Sequence, residues 1–173
     1  MRVLSFVVLT LVLAGCATAP AGNGSSGAAS SNTATPTQTQ SFVAALEAKR
    51  GSALTLAERL QVQGLTGTAK VGLNNAQNNF LNKVGAQVGL NGAVISAMFP
   101  EAGKPLSENA AVAKIESSLG KKLTVADQTA VKAATALRNN SLVSLKTGLA
   151  ASIGSRIGMS TEVVLALMPM LGL

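Results

Sequence analysis

The chain has no histidine, tryptophan or tyrosine, a single cysteine and four phenylalanines in 173 residues. Without histidine, no side chain titrates near neutrality unless its pKa is displaced, so general acid–base chemistry would need a perturbed carboxylate or lysine. One cysteine leaves no disulfide available to the fold. With so few aromatics there is no platform on which nucleic-acid bases could stack, and only Lys49-Arg50 and Lys121-Lys122 are adjacent cations, so nucleic acid is not an expected partner. Acidic residues are also scarce, seven against 14 basic ones. Glu58, Asp127 and Glu162 sit where helices begin. Glu47, Glu101, Glu108 and Glu116 are scattered, with no pair at metal or acid/base spacing, and read as solvated surface. No catalytic residue, metal site or cofactor site is therefore expected, and the chain is not expected to be an enzyme.

Long apolar runs are missing too. After Met1-Arg2 the uncharged apolar stretch is about 12 residues, well short of the ~20 that a helix needs to cross a bilayer. A charged start, a short apolar core and then Leu13-Ala14-Gly15-Cys16 make up the order of a signal peptide that ends on a cysteine. The tetrapeptide resembles the lipobox of bacterial lipoproteins. That resemblance covers the first 16 residues and implies cleavage before Cys16, which would carry a thioether-linked diacylglycerol and a further acyl chain such as palmitate. Two or three chains hold a protein on a bilayer almost permanently, since each buried methylene contributes roughly 0.8 kcal/mol. In lipoproteins of this kind an aspartate after the cysteine retains the protein at the inner membrane. Position 17 is Ala, which points to the outer membrane of a Gram-negative cell envelope; a Gram-positive origin would place the protein on the outer face of the plasma membrane.

The expected organisation is a signal peptide over residues 1–15, a lipidated cysteine and flexible linker over 16–40, and a helical domain over 41–173. From Ala17 to Gln40 there is no charge and no large apolar residue, so this stretch cannot collapse on its own. As a Gly/Ser/Thr-rich tether of 24 residues its root-mean-square reach is roughly 27 Å. The rest is one domain's length, with a core of Leu, Val, Ile and Ala and with Met as filler.

Residues 42–100 align without a gap on 111–169 at an offset of 69, with 15 of 59 pairs identical, against roughly six expected by chance. Punctuation is shared: Gly51 with Gly120, Leu54-Thr55 with Leu123-Thr124, Gly85 and Gly89 with Gly154 and Gly158, Pro100 with Pro169. The fold class expected is all-α, a small helical bundle of two tandem, duplicated units. Each unit begins with a short helix, 42–50 or 111–119, stopped by Gly51 or Gly120. Thr55-Leu-Ala-Glu58 and Thr124-Val-Ala-Asp127 then place a hydroxyl cap three residues before a carboxylate. Apolar residues follow at helical spacing, Leu73, Phe80, Leu81 and Val84 in one unit and Leu142, Leu149, Ala150 and Ile153 in the other. Lys70-Val71-Gly72 and Asn139-Asn140-Ser141 mark a break in this stripe; if they do not break it, each unit has one long helix there. Gly89 and Gly158 stop the helix, Asn91 and Ser160 cap a short last one, and Pro100 and Pro169 end it. Where one unit has Gly64, Gly67 and Gly72 the other has Ala133, Ala136 and Ser141, small residues that let helix axes approach.

Two further features bear on function. Ser118-Leu-Gly-Lys121 and Lys146-Thr147-Gly148 match two motifs of serine β-lactamases and penicillin-binding proteins. Their setting does not suit that chemistry, because Lys146 falls in a helical stripe, Gly120 stops a helix and no S-D-N element lies between them. The C-terminal run from Val163 to Leu173 is almost wholly apolar. It either completes the core or leaves Met168, Met170, Leu171 and Leu173 as an adaptable contact for a partner. Removing Arg2 leaves 13 basic and seven acidic residues, a net charge of +6, which favours anionic headgroups or an acidic protein surface. The expectation is a membrane-anchored, non-enzymatic scaffold or assembly factor of the envelope, partnered by an envelope protein; the alternative is a carrier of an apolar ligand or lipid.

Overall fold

A computed structural model describes residues 37–173. The expected signal peptide, Cys16 and the linker up to residue 36 lie outside the described residues. The fold is all-α, and the described residues contain no strand. Six helices follow in order: α1 Gln38–Arg50, α2 Leu56–Val88, α3 Gly92–Met98, α4 Glu108–Leu119, α5 Val125–Ile157 and α6 Thr161–Leu167, with a 3-10 turn Met168–Leu171 at the end. Shifted by 69, the bounds of α2 and α3 coincide with those of α5 and α6, and α1 and α4 end at equivalent positions. Their starts differ by one residue. α1 also begins at Gln38, three residues before the expected domain start, because Thr37 and Gln40 form a reciprocal capping box.

The local signals for the other helix ends act as their chemistry dictates. Thr55 and Glu58 form a full capping box, whereas Thr124 caps the Asp127 N–H without the return bond, Asp being too short to reach back. α2 and α5 end on Gly89 and Gly158, with φ of 70° and 68°. There the N–H groups of Leu90 and Met159 donate back to the carbonyls of Gly85 and Gly154 at 3.1 and 2.9 Å. The shared glycines at 85 and 154 therefore belong to these turns. A Cβ would stand 2.9 Å from Leu90 O in one and 2.5 Å from Met159 O in the other.

The break considered in the middle of each unit does not form. α2 and α5 are each continuous over 33 residues, about 50 Å. The residues at the considered breaks satisfy themselves inside a helix. Ser141 Oγ donates to Leu137 O at 3.0 Å, and the Asn139 side chain brackets the backbone of Leu106, accepting its N–H at 3.0 Å and donating to its carbonyl at 2.7 Å. Gly72 lies at the helix crossing, where an added Cβ would come 2.9 Å from Leu145 Cδ2. Gly64 and Gly67 face open space instead, so of the three small positions in unit one only Gly72 serves close approach.

α2 and α5 form the most extensive helix pair. They run antiparallel, since Gln87 meets Asp127, Gln77 meets Arg138 and Gly72 meets Leu145. The pair supports two separate cores. One joins Phe42 and Leu46 of α1 to Val62 and Leu73 of α2, Ile153 of α5 and Val164 of α6. The other joins Ile95 of α3 to Val84 of α2, Ile115 of α4 and Val131 of α5. Each core thus takes its first helix from one unit and its last from the other. Adding 69 to Leu46, Val62 and Leu73 of the first gives Ile115 and Val131 of the second and Leu142, which returns to the first. The cores are aliphatic apart from Phe42 in the first and Phe80 and Phe99 in the second, the latter two packed edge to face at 5.3 Å.

Candidate functional site

Four of the seven carboxylates, Glu47, Glu58, Glu116 and Asp127, are engaged at helix turns. Glu47 accepts the Leu54 N–H and the Arg59 guanidinium, and Glu116 accepts the Lys122 ammonium, the Leu123 N–H and the Gln128 amide. The Leu54 N–H first, then Arg59, holds the Glu47 carboxyl below the usual glutamate range; for Glu116 it is first Lys122, then the Leu123 N–H. Glu58 is lowered first by the Thr55 backbone, and Asp127 first by the Gln87 amide at 2.7 Å. Each is thus held ionised, the opposite of a general acid or base poised near neutrality. Among the described residues no group of His, Cys, Asp and Glu could hold a metal ion. Lys146-Thr147-Gly148 lies inside α5 and Ser118 inside α4, with Lys121 beyond the Gly120 stop, so the two penicillin-binding motifs sit on helices and a turn rather than a strand. Partial burial pushes the Lys146 ammonium below the usual lysine range.

Arg138 is a polar group whose importance the residue pattern concealed. It is 4% exposed, and its partners are neutral. Nε donates to Gln77 Oε1 at 2.6 Å; Nη2 donates to the carbonyls of Glu101 and Ala102 at 2.6 and 3.1 Å; Nη1 donates to that of Lys104 at 3.0 Å. Gln77 in turn donates to Phe99 O at 2.6 Å. The guanidinium lies 5.7 Å from the Phe80 ring centroid, and burial lowers its pKa. Together with Asn139 these contacts fasten the connection between α3 and α4 onto the long helices. The available signal was an arginine four residues before Leu142 in the apolar stripe, at the position where the other unit has Ala69. Hydrogen-bonded to main-chain carbonyls, Gln77 and the Asn139 side chain, it is built to hold a strap rather than to bind an anion.

The C-terminal tail is mostly core. Met168, Leu171 and Leu173 are buried in the first core with α1, and of these four apolar residues Met170 alone is exposed, at 39%. Three of the four residues expected as a possible partner contact are therefore unavailable. Apolar side chains at a terminus find their lowest free energy under α1. Gly103 abuts the backbone of Gly172, a contact that leaves no room for a Cβ. Cys16, the expected lipidation site, lies outside the described residues.

What the fold leaves open is one side of the α2/α5 pair. The short helices cover the stripe that includes Val62, Leu73, Phe80 and Val84, and the adjoining side is a furrow lined by α2 and α5 alone. It has three connected depressions of about 590, 210 and 460 Å³. The largest is floored by Ala69, Gly72 and Leu145 and edged by Asn75, Asn79 and Ser144. Leu137, 56% exposed, stands between the other two. Lys83 and Arg138 are the only charged residues lining any of the three, and Arg138 is buried. Such a surface can pack against another largely uncharged surface. Among the described residues no helix is long and apolar enough to cross a membrane. Comparison with protein-family models, with curated proteins and with solved structures finds no match to this chain.

Proposed function

We propose that the chain is a lipid-anchored bacterial envelope protein whose helical domain acts as a non-enzymatic scaffold or assembly factor. The anchor rests on Leu13-Ala14-Gly15-Cys16 behind a charged start and a short apolar core. On this reading Cys16 carries the acyl chains, Ala17 directs the protein to the outer membrane, and the linker holds the helices near the bilayer. The scaffold rests on one observation above others: α2 and α5 leave uncovered a long furrow whose side chains are uncharged apart from Lys83 and the buried Arg138, while the acids at 47, 58, 116 and 127 are engaged within helix turns. Charge depletion at the centre of a surface is the compositional mark of a protein contact. A carrier of an apolar ligand is the weaker reading, because this furrow is open and edged by amides and hydroxyls.

The anchor is tested by labelling cells with an alkynyl fatty acid and separating envelopes. The chain should be labelled and stay in the membrane fraction after a high-salt wash, and Cys16→Ser should abolish labelling and release it. Retention of the unlabelled variant would remove the lipid anchor. The scaffold is separated from the carrier by native mass spectrometry of the purified protein after its covalent lipid has been accounted for. Stoichiometric additional lipid would reverse the ranking.

A further inference from the structure

We propose that the open face of α2 and α5 is where a second copy of this chain docks, the two furrowed faces packing together into a layer of four long helices. The inference stands on the described helices alone and does not depend on the lipid anchor.

Size is the first argument. Two helices of 33 residues side by side present a face about 50 Å long and roughly 18 Å wide, given axes 8–10 Å apart. That is on the order of 900 Å², close to the ~800 Å² per partner of a stable complex.

Charge is the second. The chain carries 14 basic and seven acidic residues, so two copies repel unless their cations are kept off the contact. The furrow meets this condition, with Lys83 as its only exposed charge.

Symmetry selects the occupant. Within the largest depression Gly72, Asn75, Ala76 and Asn79 of α2 stand 69 residues before Ser141, Ser144, Leu145 and Gly148 of α5, which line it from the other side. Because the helices are antiparallel, the face has an approximate two-fold axis along its own normal, near Gly72 and Ser141 at the helix midpoints. A single foreign helix laid along such a face meets a similar spacing of positions in either direction, although the side chains at them differ. A second copy of the face repeats that spacing, and an isologous contact sets each patch against its own copy.

The packing proposed sets α5 along α5 of the second copy, which brings Ser141, at the midpoint, close to Ser141 of that copy. The test uses the purified full chain with Ser141→Cys, and with Ala113→Cys on the exposed side of α4 as control; both retain Cys16, which sets the background. Mild oxidation should give a band of twice the chain mass with Ser141→Cys, at least tenfold above the control. Adding Ser144→Arg, which sets like charges against each other at the centre of the contact, should return the yield to background. Circular dichroism of the purified variant should keep its helical signal, showing that the loss is not unfolding. A Ser141→Cys yield no higher than the control overturns the proposal.

Discussion

Glu47 accepts the backbone N–H of Leu54 at 2.9 Å through Oε1, closing the turn between α1 and α2. Sixty-nine residues later Glu116 does the same for Leu123 at 3.1 Å. The same oxygen also takes a donor from the first turn of the following long helix, Arg59 Nε at 3.0 Å in one unit and Gln128 Nε2 at 3.2 Å in the other. These carboxylates, which as isolated residues look like solvated surface, therefore set the entry angle of the two longest helices.

They also set a pH dependence. Glu47, Glu58, Glu116 and Asp127 all have folded pKa values below their ordinary ones. The unfolded state takes up protons first, so the stabilisation is complete above the ordinary carboxylate range and is lost as pH falls through the lower folded values. The thermal midpoint should hold from neutrality to about pH 5 and then fall. Glu47→Gln combined with Glu116→Gln should lower it at pH 7 and flatten the acid limb. Parallel acid limbs for the two proteins would show that these turns are not its source.

Arg138 fastens the strap between the units, so its loss should be felt there first. Arg138→Met leaves the carbonyls of Glu101, Ala102 and Lys104 and the amide oxygen of Gln77 without their donor, a loss of about 2–4 kcal/mol. Amide exchange at Ala102, Gly103, Lys104 and Leu106 should quicken. Arg138→Lys should recover only a small part, since an ammonium cannot fork to four acceptors. Full recovery by lysine would mean that charge, not geometry, holds the strap.

Glycines within the two long helices should respond with opposite signs. Gly64 and Gly67 have open space where a Cβ would go, so alanine there should stabilise by about 0.5–1 kcal/mol each. At Gly85 and Gly154 the new methyl would press on the carbonyls of Leu90 and Met159, and alanine should destabilise. Denaturant titrations of the four variants decide it, and four changes of one sign would contradict the turn geometry.

Because each core draws on both units, neither half should fold alone as a monomer. Residues 37–103 and 104–173, prepared separately, should show weak helical signals without a cooperative melt. Mixed in equal amounts, they should regain the helical signal and cooperative transition. A cooperative melt from either half alone, monomeric by sedimentation, would refute the exchanged packing.

Much of this was legible from local chemistry. Thr55, Thr124, Asn91 and Ser160 start helices because their side-chain oxygens meet orphan N–H groups, and Gly51, Gly89, Gly120 and Gly158 stop them because the reversal needs a positive φ. Those are interactions within a few residues, and the offset of 69 carries them from one unit to the other. The all-α class followed from the same signals. Where a residue's polar group reaches across the chain, local reading failed. Asn139 looks like part of a helix break until Leu106 is there to receive it.

The residue pattern by itself therefore determined the helices, their ends, their recurrence and an aliphatic core, since capping, left-handed glycine and 3.6-residue periodicity act at short range. Only the tertiary structure decided that the cores are exchanged between units, that Met168, Leu171 and Leu173 are buried while Met170 is not, and that Arg138 holds the strap. It also decided which side of α2 and α5 stays open. An apolar stripe states only that something must cover it; which helix does so depends on chain connectivity and on how closely two axes can approach, here at Gly72 and Leu145.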